Sequence, residues 1–361
     1  MEILMSILIF MLPSILITYW ITPFVIQFAL KHQLVDNPNL RSHPAHTHIG
    51  TIPRAGGLAI FVGIFLPAFL FLPKTPVLVG IAISATILTL VGLWDDRKDR
   101  SPYARFILTF IAGLIVVLSG VTIPYITNPM GGVIVLDQWK IVLPFFPYSV
   151  LIIADAIALI WIVWTTNIIG WSGGIDGQLP GFVGISAIVI GILSLRFSLQ
   201  DPTQIPTTIL CFLTAGAFFG FLPWNIFPQK IMPGYGGKTL AGFMLAVLSI
   251  LSVSKLGTAL LVLGIPMADA VFMLIKRILS GHSPVWATSG HLHHQLLRIG
   301  WTKRKIAYFY WGISAIGGAI ALILDSRFKL FAVLVIACLI FGFILGVNGV
   351  KTEFTRMKRK N

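Results

Sequence analysis

The sequence predicts an all-α, polytopic membrane protein, and three observations support that prediction. Hydrophobic residues make up 57% of the 361 residues, and charged residues make up only 11%. The mean hydropathy is +0.92. Uncharged runs recur along the chain, and most have about the 20 residues that a membrane-spanning helix requires. By length alone the chain would form about two or three soluble domains, but this composition excludes them.

Glycines, prolines and charged clusters divide the apolar sequence into about eleven predicted spans. In order, they cover residues 5–30, 55–73, 76–94, 105–123, 147–168, 179–196, 205–223, 239–254, 257–279, 306–324 and 329–350. The first run lacks a basic n-region and a small-residue cleavage site, so we expect it to be retained. Residues 128–132 separate two apolar stretches and predict a short hairpin over the bilayer. We expect residues 1–350 to form one transmembrane bundle and residues 351–361 a basic cytoplasmic tail.

The formal charge of +14 reflects the predicted topology. Most of the 26 Lys and Arg residues fall in alternate loops, and the positive-inside rule assigns those loops to the cytoplasm. An odd number of spans then places the N-terminus outside and the C-terminus inside. Because topology and a membrane-surface tail account for the basic charge, we expect no nucleic-acid partner. Cys211 and Cys338 lie in apolar runs and offer neither a disulfide framework nor a cysteine metal site.

Ionisable side chains are rare inside the predicted spans. Asp155 and Asp269 are the two candidates, and they are too sparse for the relay that a transporter would need. A carboxyl group hydrogen-bonded between helices is the simpler interpretation of each. The other unusual polar residues lie in five segments on the predicted cytoplasmic side. These segments face one another only if the helices form one bundle.

The first two segments contain glycines, an arginine and a pair of aspartates. In residues 48–57, glycines at a helix start permit the close approach of a phosphate, with which Arg54 could pair. A basic loop with helix-packing glycines is an equal alternative. Asp95 and Asp96 are adjacent at the end of a span, where a Mg²⁺ ion shared with substrate phosphates would relieve their repulsion. A solvated acidic and basic turn is the alternative there.

The other three segments add a carboxylate, a lysine and a histidine cluster. Asp176 is bracketed by glycines at the start of a span, which suits either a carboxylate directed at a ligand or an ordinary helix N-cap. Lys238 ends a glycine-rich nest before a helix, a pattern that favours a phosphate or nucleotide. His291, His293 and His294 occur within four residues. Imidazoles can donate to phosphate oxygens, act as acid or base, or bind metal.

Six motifs occur in register along nearly the whole chain. They are His48-x-Gly50 to Gly57, Asp95-Asp96, Asn167 with Gly174-Ile175-Asp176-Gly177, Phe221-Leu222-x-x-Asn225-x-x-Pro228, Pro266-x-x-Asp269 and Gly290-His291-x-His293-His294-x-Leu296. Together they resemble the polyprenyl-phosphate N-acetylhexosamine-1-phosphate transferases, glycosyltransferase family 4. The resemblance is closer to the undecaprenyl-phosphate GlcNAc-1-phosphate transferases than to phospho-MurNAc-pentapeptide translocase.

This resemblance implies a Mg²⁺-dependent enzyme at the cytoplasmic face of the bacterial inner membrane. It would transfer a phospho-N-acetylhexosamine from a UDP-sugar to a polyprenyl phosphate such as undecaprenyl phosphate. UMP would be released, in the first membrane step of cell-envelope polysaccharide synthesis. Asp95 would activate or position the lipid phosphate, and Asp96 would lie beside it near the metal. The implied catalytic residues are Asp95, Asp96 and Asp176, the metal ligands Asp95 and Asp96, and the substrate-binding residues Arg54, Asn167, Asn225, Lys238, His291, His293 and His294.

The chain also departs from the family pattern. Gly170 and Gly173 stand where the family has Asn and Asp, and the family's Gly-Asp-x-Gly-Ser reads Gly-Tyr235-Gly-Gly-Lys238 here. A phenol cannot replace a metal-binding carboxylate. Either Asp95 and Asp96 bind Mg²⁺ weakly together with the substrate phosphates, or Lys238 acts as a fixed cation in place of the metal ion. The alternative function is a catalytically degenerate member that binds polyprenyl phosphate or UDP-sugar as a regulator or scaffold. The sequence does not decide which sugar is used or whether the protein is a homodimer.

Overall fold

The computed structural model describes residues 2–38, 48, 50–98, 100–128, 130–142, 149–252, 255–281, 283 and 290–358. These residues are mainly helical, which confirms the all-α class. The helices are α1 (Glu2–Lys31), α2 (Gly56–Phe71), α3 (Pro76–Arg97), α4 (Pro102–Leu118), α5 (Ile152–Ser172), α6 (Gln178–Ser198), α7 (Ile205–Asn225), α8 (Gly234–Leu251), α9 (Lys255–Val262), α10 (Gly264–Leu279), α11 (Leu292–Arg298), α12 (Lys303–Ile323) and α13 (Ser326–Lys358). The backbone of 351–358, within the predicted tail, continues α13, and residues 359–361 lie outside the described residues.

Short antiparallel strand pairs connect some of the helices. β1 (Val35–Asp36) pairs with β2 (Ile52–Pro53), β3 (Tyr125–Thr127) with β4 (Val133–Val135), and β5 (Lys140–Ile141) with β6 (Val150–Leu151). The β3–β4 pair confirms the predicted hairpin, and its turn is closed by Asn128 Oδ1, which accepts from the Met130 N–H at 3.0 Å. The β1–β2 pair lies beside the first polar segment and fixes the chain that leads into α2.

Local sequence sets where several helices begin. The side-chain oxygens of Thr75, Ser101 and Thr302 accept from the backbone N–H groups of Leu78, Ala104 and Lys305, at the starts of α3, α4 and α12. Each contact satisfies one of the amide groups that a helix start leaves unpaired. In α3 and α4 a proline follows the cap, at the position where its missing N–H has no cost.

Helix length and composition confirm a polytopic membrane protein. Among the described residues, eight stretches are long and apolar enough to span a membrane, namely Ile7–Lys31, Pro76–Arg97, Ile152–Ser172, Gln178–Ser198, Pro202–Asn225, Gly234–Leu251, Lys303–Ile323 and Ser326–Val347. Helices α9 and α10 could together form a ninth, but they meet at 85°. The apolar helices α2 and α4 are shorter, with 16 and 17 residues. Each predicted span therefore contains a helix among its described residues, but the set is not eleven straight spans.

The bend between α9 and α10 has a local cause. Pro266 has no N–H to donate to the carbonyl of Val262, so the hydrogen-bond ladder of α9 cannot continue into α10. Leu263, at the bend, has φ −99° and ψ 18°, which lies outside the helical region. The predicted span 257–279 is thus two helices, and the second of them carries Asp269.

Helices α6, α7 and α8 form the centre of the bundle. In each of them 78% of the most apolar stretch is buried, against 17% in Ser326–Val347 of α13. The aromatic rings at this centre, all fully buried, are those of Phe182, Phe212, Phe218, Phe221 and Phe243. The outer helices expose their large apolar side chains, as expected for surfaces that face lipid.

Glycines allow α2 and α3 to contact the start of α8 backbone to backbone. A Cβ atom on Gly57 would overlap the backbone of Gly237, and one on Gly92 would overlap the backbone of Gly236. Because these contacts involve main-chain atoms, they cannot be relieved by a change of rotamer. They hold the first turn of α8 beside the end of α3, where the paired aspartates lie.

Candidate active site

The predicted site residues converge at one end of the bundle, around a cavity of about 870 Å³. The end of α3, the starts of α4 and α8, one side of α5 and the histidine cluster form its wall. The predicted residues that line it are Arg54, Asp95, Asn167, Asn225, Lys238, His291, His293 and His294. Asp96 and Asp176 are buried but are not part of this lining. The structure thus brings the aspartate pair and the histidine cluster to the same face of the bundle.

Asp95 is held from one side only. Its Oδ1 accepts from Arg105 Nε at 2.7 Å and from the Arg100 backbone N–H at 3.1 Å. The side chain is 1% exposed, and its buried Oδ2 has no hydrogen-bond partner among the described residues. One carboxylate oxygen is therefore fixed by the protein, and the other is left for a ligand or a proton.

Asp96 connects α3 to the start of α8. Its Oδ1 accepts from the Tyr235 backbone N–H at 3.0 Å and pairs with Arg54 Nε at 3.1 Å. Pro233, the N-cap residue of α8, offers no side-chain cap. Asp96 therefore supplies the acceptor that the first amides of α8 require, and its negative charge suits the positive end of that helix.

Asp176 does not cap α6. The N-cap is Gly177, whose φ is 75°, and Asp176 instead accepts from Lys303 Nζ at 3.0 Å and from Gln229 Nε2 at 3.1 Å. Asn225 Oδ1 accepts from the Gly177 backbone N–H at 3.0 Å. These contacts connect the turn between α5 and α6 to the segment between α7 and α8. They also exclude the N-cap alternative for Asp176.

Parts of the predicted polar segments are helical in the structure. Helix α5 continues to Ser172, so Asn167 lies within it and donates from Nδ2 to the Val163 carbonyl at 2.8 Å. Helix α8 begins at Gly234, whose φ is +70°, so Gly236 and Gly237 of the predicted glycine-rich nest lie in the first turn of the helix and not before it. Lys238 lies within α8, one turn after Tyr235, whose backbone N–H donates to Asp96.

Asp269 positions the histidine cluster, defined here as His291, His293 and His294. Its Oδ2 accepts from His291 Nδ1 at 2.9 Å, and its Oδ1 accepts from the first backbone N–H of α11 at 2.8 Å. The rings of His291 and His293 are stacked, with centroids 5.8 Å apart. Burial, together with the other two histidines and Lys238, lowers the pKa of His293 well below its ordinary value. His293 is therefore neutral near neutral pH and can accept as well as donate a hydrogen bond.

Replacing Asp269 with alanine should loosen the histidine cluster. The change leaves His291 Nδ1 and a buried backbone N–H without an acceptor, which costs about 1–3 kcal/mol for each group. We expect faster amide hydrogen exchange in residues 290–298, measured by mass spectrometry on the protein in lipid nanodiscs. Asp201→Ala, which removes an exposed acceptor for the Thr203 N–H, is the matched control. Equal exchange in the two variants would show that Asp269 does not hold this segment.

Two departures from the family pattern lie in the cavity wall. The guanidinium carbon of Arg105 lies over the ring of Tyr235, 5.0 Å from its centroid. The Cε atom of Lys238 lies 3.4 Å from the position that a Cβ on Gly173 would take. Position 235 thus presents a ring where the pattern has a carboxylate, and the missing side chain at position 173 leaves room for the stem of Lys238.

The described residues do not by themselves build a magnesium site. Asp95 Oδ2 fits as one ligand, because it is buried and has no hydrogen-bond partner. Asp96 Oδ1 is already engaged by Arg54 and by a backbone amide. Within the described part of the chain, no group of three or more His, Cys, Asp or Glu side chains could hold a metal ion. The predicted Mg²⁺ therefore stays a prediction.

Three cations of the site were missed by sequence reasoning. Arg105 and Lys303 pair with Asp95 and Asp176, and Arg277 Nη2 lies 3.4 Å from His291 Nε2. In the sequence these residues belong to the basic ends of spans, where topology alone explains a positive charge. No local pattern indicated which of them turn towards an aspartate.

The sequence is similar to known proteins over most of its length. Residues 78–253 match the family described as glycosyl transferase family 4. A decaprenyl-phosphate N-acetylglucosaminephosphotransferase of Mycobacterium leprae is 30% identical over 351 residues, which cover 88% of this chain and 84% of that protein. The chain belongs to glycosyl transferase family 4. The predicted resemblance to the polyprenyl-phosphate N-acetylhexosamine-1-phosphate transferases is thereby confirmed.

Two further relatives of this family member come from other bacteria. A probable undecaprenyl-phosphate N-acetylglucosaminyl 1-phosphate transferase of Bacillus subtilis is 28% identical over 363 residues, covering 96% of this chain and 94% of that protein. An undecaprenyl-phosphate alpha-N-acetylglucosaminyl 1-phosphate transferase of Escherichia coli is 29% identical over 298 residues, covering 78% of this chain and 74% of that protein. The similarity thus extends over most of the polytopic chain.

Proposed function

We propose that this protein transfers a phospho-N-acetylhexosamine from a UDP-sugar to a polyprenyl phosphate and releases UMP. The observation that carries the proposal is the double character of one cavity, which joins an apolar opening between helices to a cluster of fixed cations and imidazoles. A lipid with a phosphate headgroup and a soluble nucleotide-sugar need these two environments side by side. The activities named for the relatives support a polyprenyl phosphate as acceptor and N-acetylglucosamine as the first sugar to test.

The lipid part of the proposal is supported by the wall between α4 and α5. Phe106 and Phe110 of α4 and Ile160 of α5 line the cavity. The same side chains are 45%, 42% and 68% exposed. Large apolar side chains that face both the cavity and the exterior indicate an opening towards hydrocarbon. A polyprenyl chain lying in this opening would bring its phosphate to Asp95 and Arg105.

The nucleotide-sugar part is supported by the polar part of the cavity lining. Lys238, Arg277 and the histidine cluster line it and present cationic or hydrogen-bonding groups. Such groups bind phosphate oxygens strongly in a site of low dielectric. Asp96, Asp176 and Asn225 are assigned positioning roles, because each of them holds the backbone or a cation of the site in place.

In the proposed reaction, an oxygen of the lipid phosphate attacks the phosphorus that bears the sugar. A new P–O bond joins the two phosphates, and the bond from that phosphorus to the bridging oxygen breaks, so UMP leaves with the electron pair. Asp95 Oδ2, which the protein leaves without a hydrogen bond, would accept a proton of the lipid phosphate or orient that phosphate. The surrounding cations would offset the repulsion between the two anionic substrates.

We further propose the cytoplasmic face of the bacterial inner membrane as the place of reaction, as part of cell-envelope polysaccharide synthesis. Basic residues at the cavity end of the bundle, such as Arg100 and Lys303, suit a cytoplasmic face by the positive-inside rule. This orientation places the N-terminus outside and the C-terminus inside.

The test is a reconstitution with both substrates. Purified protein in lipid nanodiscs receives undecaprenyl phosphate and one of several UDP-N-acetylhexosamines, with and without Mg²⁺. Chromatography measures UMP, and mass spectrometry identifies the lipid product. We expect equal amounts of UMP and lipid-diphosphate-sugar, with neither formed when the lipid phosphate is omitted.

The same experiment distinguishes the second candidate function. Gly173 and Tyr235 favour it, because both replace carboxylates of the family pattern within the cavity wall. Binding of either substrate without turnover of any donor would contradict the transferase proposal and support a regulator or scaffold.

A further inference from the structure

The aspartates beside the cavity already have counter-charges from the protein. The ion pairs are Asp95 with Arg105 at 2.7 Å, Asp96 with Arg54 at 3.1 Å, and Asp176 with Lys303 at 3.0 Å. In addition, Asp269 is hydrogen-bonded to His291. Each of these carboxylates is nearly inaccessible to solvent, and an unpaired charge there would be strongly unfavourable. The pairing means that none of them needs a metal ion for neutralisation.

Lys238 is different from these paired cations. It lines the cavity, and within the described part of the chain no hydrogen bond or ion pair engages its ammonium group. Two aspartates interact electrostatically with Lys238. Asp96 is engaged by Arg54 and the Tyr235 amide, and Asp36 lies in the cavity wall without a hydrogen bond to Lys238 among the described residues. An ammonium group without a partner in such a cavity is unfavourable until an anion binds. The structure therefore presents Lys238 as a positive charge in reserve for a ligand.

The neighbouring departures from the family pattern keep this charge available. A carboxylate at position 173 would lie against the Lys238 stem and pair with its ammonium, but Gly173 offers none. A carboxylate at position 235 would compete for Arg105, but Tyr235 offers only a ring beneath that guanidinium. Compared with the family pattern, this site lacks two carboxylates and has one additional ammonium group. Its formal charge is therefore more positive by three. This difference exceeds the two charges that one Mg²⁺ ion would bring.

We propose that Lys238 is the fixed cation for the diphosphate of the nucleotide-sugar, and that this protein binds its donor without a divalent metal. The choice of ligand rests on the proposed function. The position of Lys238 supports the assignment, because it lies near the N-terminus of α8, where the helix carries a partial positive charge and where Pro233, Gly234 and Tyr235 also line the cavity. The protein thereby replaces a bound metal with a charge that is part of the chain.

The first test measures binding, so that it does not depend on turnover. Isothermal titration calorimetry follows UDP-GlcNAc binding to the wild-type protein in nanodiscs, in EDTA and then in excess Mg²⁺. We expect the two dissociation constants to agree within about twofold. Electron paramagnetic resonance with Mn²⁺ should detect no stoichiometric metal bound to the wild-type protein. A requirement for Mg²⁺ in binding, or one tightly bound Mn²⁺ per chain, would overturn the proposal.

Variants connect the metal independence to Lys238. Lys238→Met should weaken donor binding in EDTA about 10- to 100-fold, the range expected for losing a hydrogen bond to a charged group. Lys238→Arg should restore most of it. Lys230→Met makes the same chemical change at an exposed residue that is not part of the cavity wall, and it should bind normally. Unchanged binding in Lys238→Met would contradict the assignment. If Lys238→Met binds the donor weakly and Lys238→Arg binds it well, the loss is due to the missing charge and not to misfolding.

A variant that restores the family residues at positions 173, 235 and 238 provides a second test. The triple variant Gly173→Asp, Tyr235→Asp and Lys238→Ser should gain a Mn²⁺ signal and bind the donor only when metal is present. A triple variant that still binds in EDTA would contradict the charge argument. Failure of the two proposals can be separated. Lys238-dependent binding in EDTA without any product would keep the fixed cation and reject the transferase, whereas turnover that needs Mg²⁺ for donor binding would do the reverse.

Discussion

Replacing Asp95 with asparagine should lower the rate of UMP release by about 100- to 10,000-fold, the range expected for losing a positioned acid or base. Asparagine has nearly the same shape and keeps an oxygen that can accept from Arg105 Nε and from the Arg100 backbone N–H. The fold should therefore persist. What is lost is the negative charge at Oδ2, the atom that the protein leaves without a partner. The measurement is turnover in nanodiscs with undecaprenyl phosphate and the preferred UDP-sugar.

The matched control is Asp155→Asn. This residue also lies in an apolar helix, but its carboxylate accepts from the Leu151 backbone N–H at 2.9 Å at the start of α5 and is not part of the cavity lining. It should retain the wild-type rate. Donor binding should stay within about threefold in Asp95→Asn, because Lys238 and the histidine cluster are unchanged. Near-normal turnover in Asp95→Asn would remove Asp95 from the reaction and require another group in its place.

Replacing Gly92 with alanine should destabilise the protein by at least about 2 kcal/mol, since a methyl group would be forced into a packed contact. The added Cβ would overlap backbone atoms of Gly236, which cannot move as a side chain can. The helices α3 and α8 would have to separate. Because α8 carries Tyr235 and Lys238, donor binding should weaken together with stability. Denaturant or thermal unfolding in detergent measures the first effect, and calorimetry measures the second.

Gly312→Ala provides the comparison. Gly312 also lies in a helix, but a Cβ there would meet nothing within 4 Å. Alanine favours a helix over glycine by about 1 kcal/mol, so this variant should be as stable as the wild type or slightly more stable. Equal stability of the Gly92 and Gly312 variants would show that α3 and α8 tolerate separation and that the glycine contact is not required.

The general fold could be predicted because hydropathy is a property of consecutive residues. Apolar runs located the long helices but not the short helix α11, and the turn residues around Asn128 located the β3–β4 hairpin. The helix boundaries were not predicted correctly where a helix includes glycines, as at the start of α8, or where it bends at a proline, as before α10. Helix α8 begins at Gly234 because Asp96 caps its first turn from another helix. The bend before α10 follows from Pro266, but its angle of 85° depends on what the second helix packs against.

The residues of the candidate site could be predicted from the sequence, but their individual roles could not. Motif spacing pointed to Asp95, Asp96, Asp176 and the histidine cluster. The sequence treated the aspartates as similar groups, whereas the structure gives Asp95 one partnerless oxygen and uses Asp96 to hold Arg54 and α8. These differences arise from contacts between distant segments, and adjacent residues carry no signal of them.

The sequence by itself determined that the chain crosses a membrane many times and carries six motifs of one family, because apolar length and motif order are encoded in neighbouring residues. Only the tertiary structure decided which cation neutralises which aspartate. Arg54, Arg105 and Lys303 reach their partners from other elements, while Lys238 is left facing the cavity. The physical reason is that an ion pair forms where the folded chain brings charges together, and the bundle sets those distances.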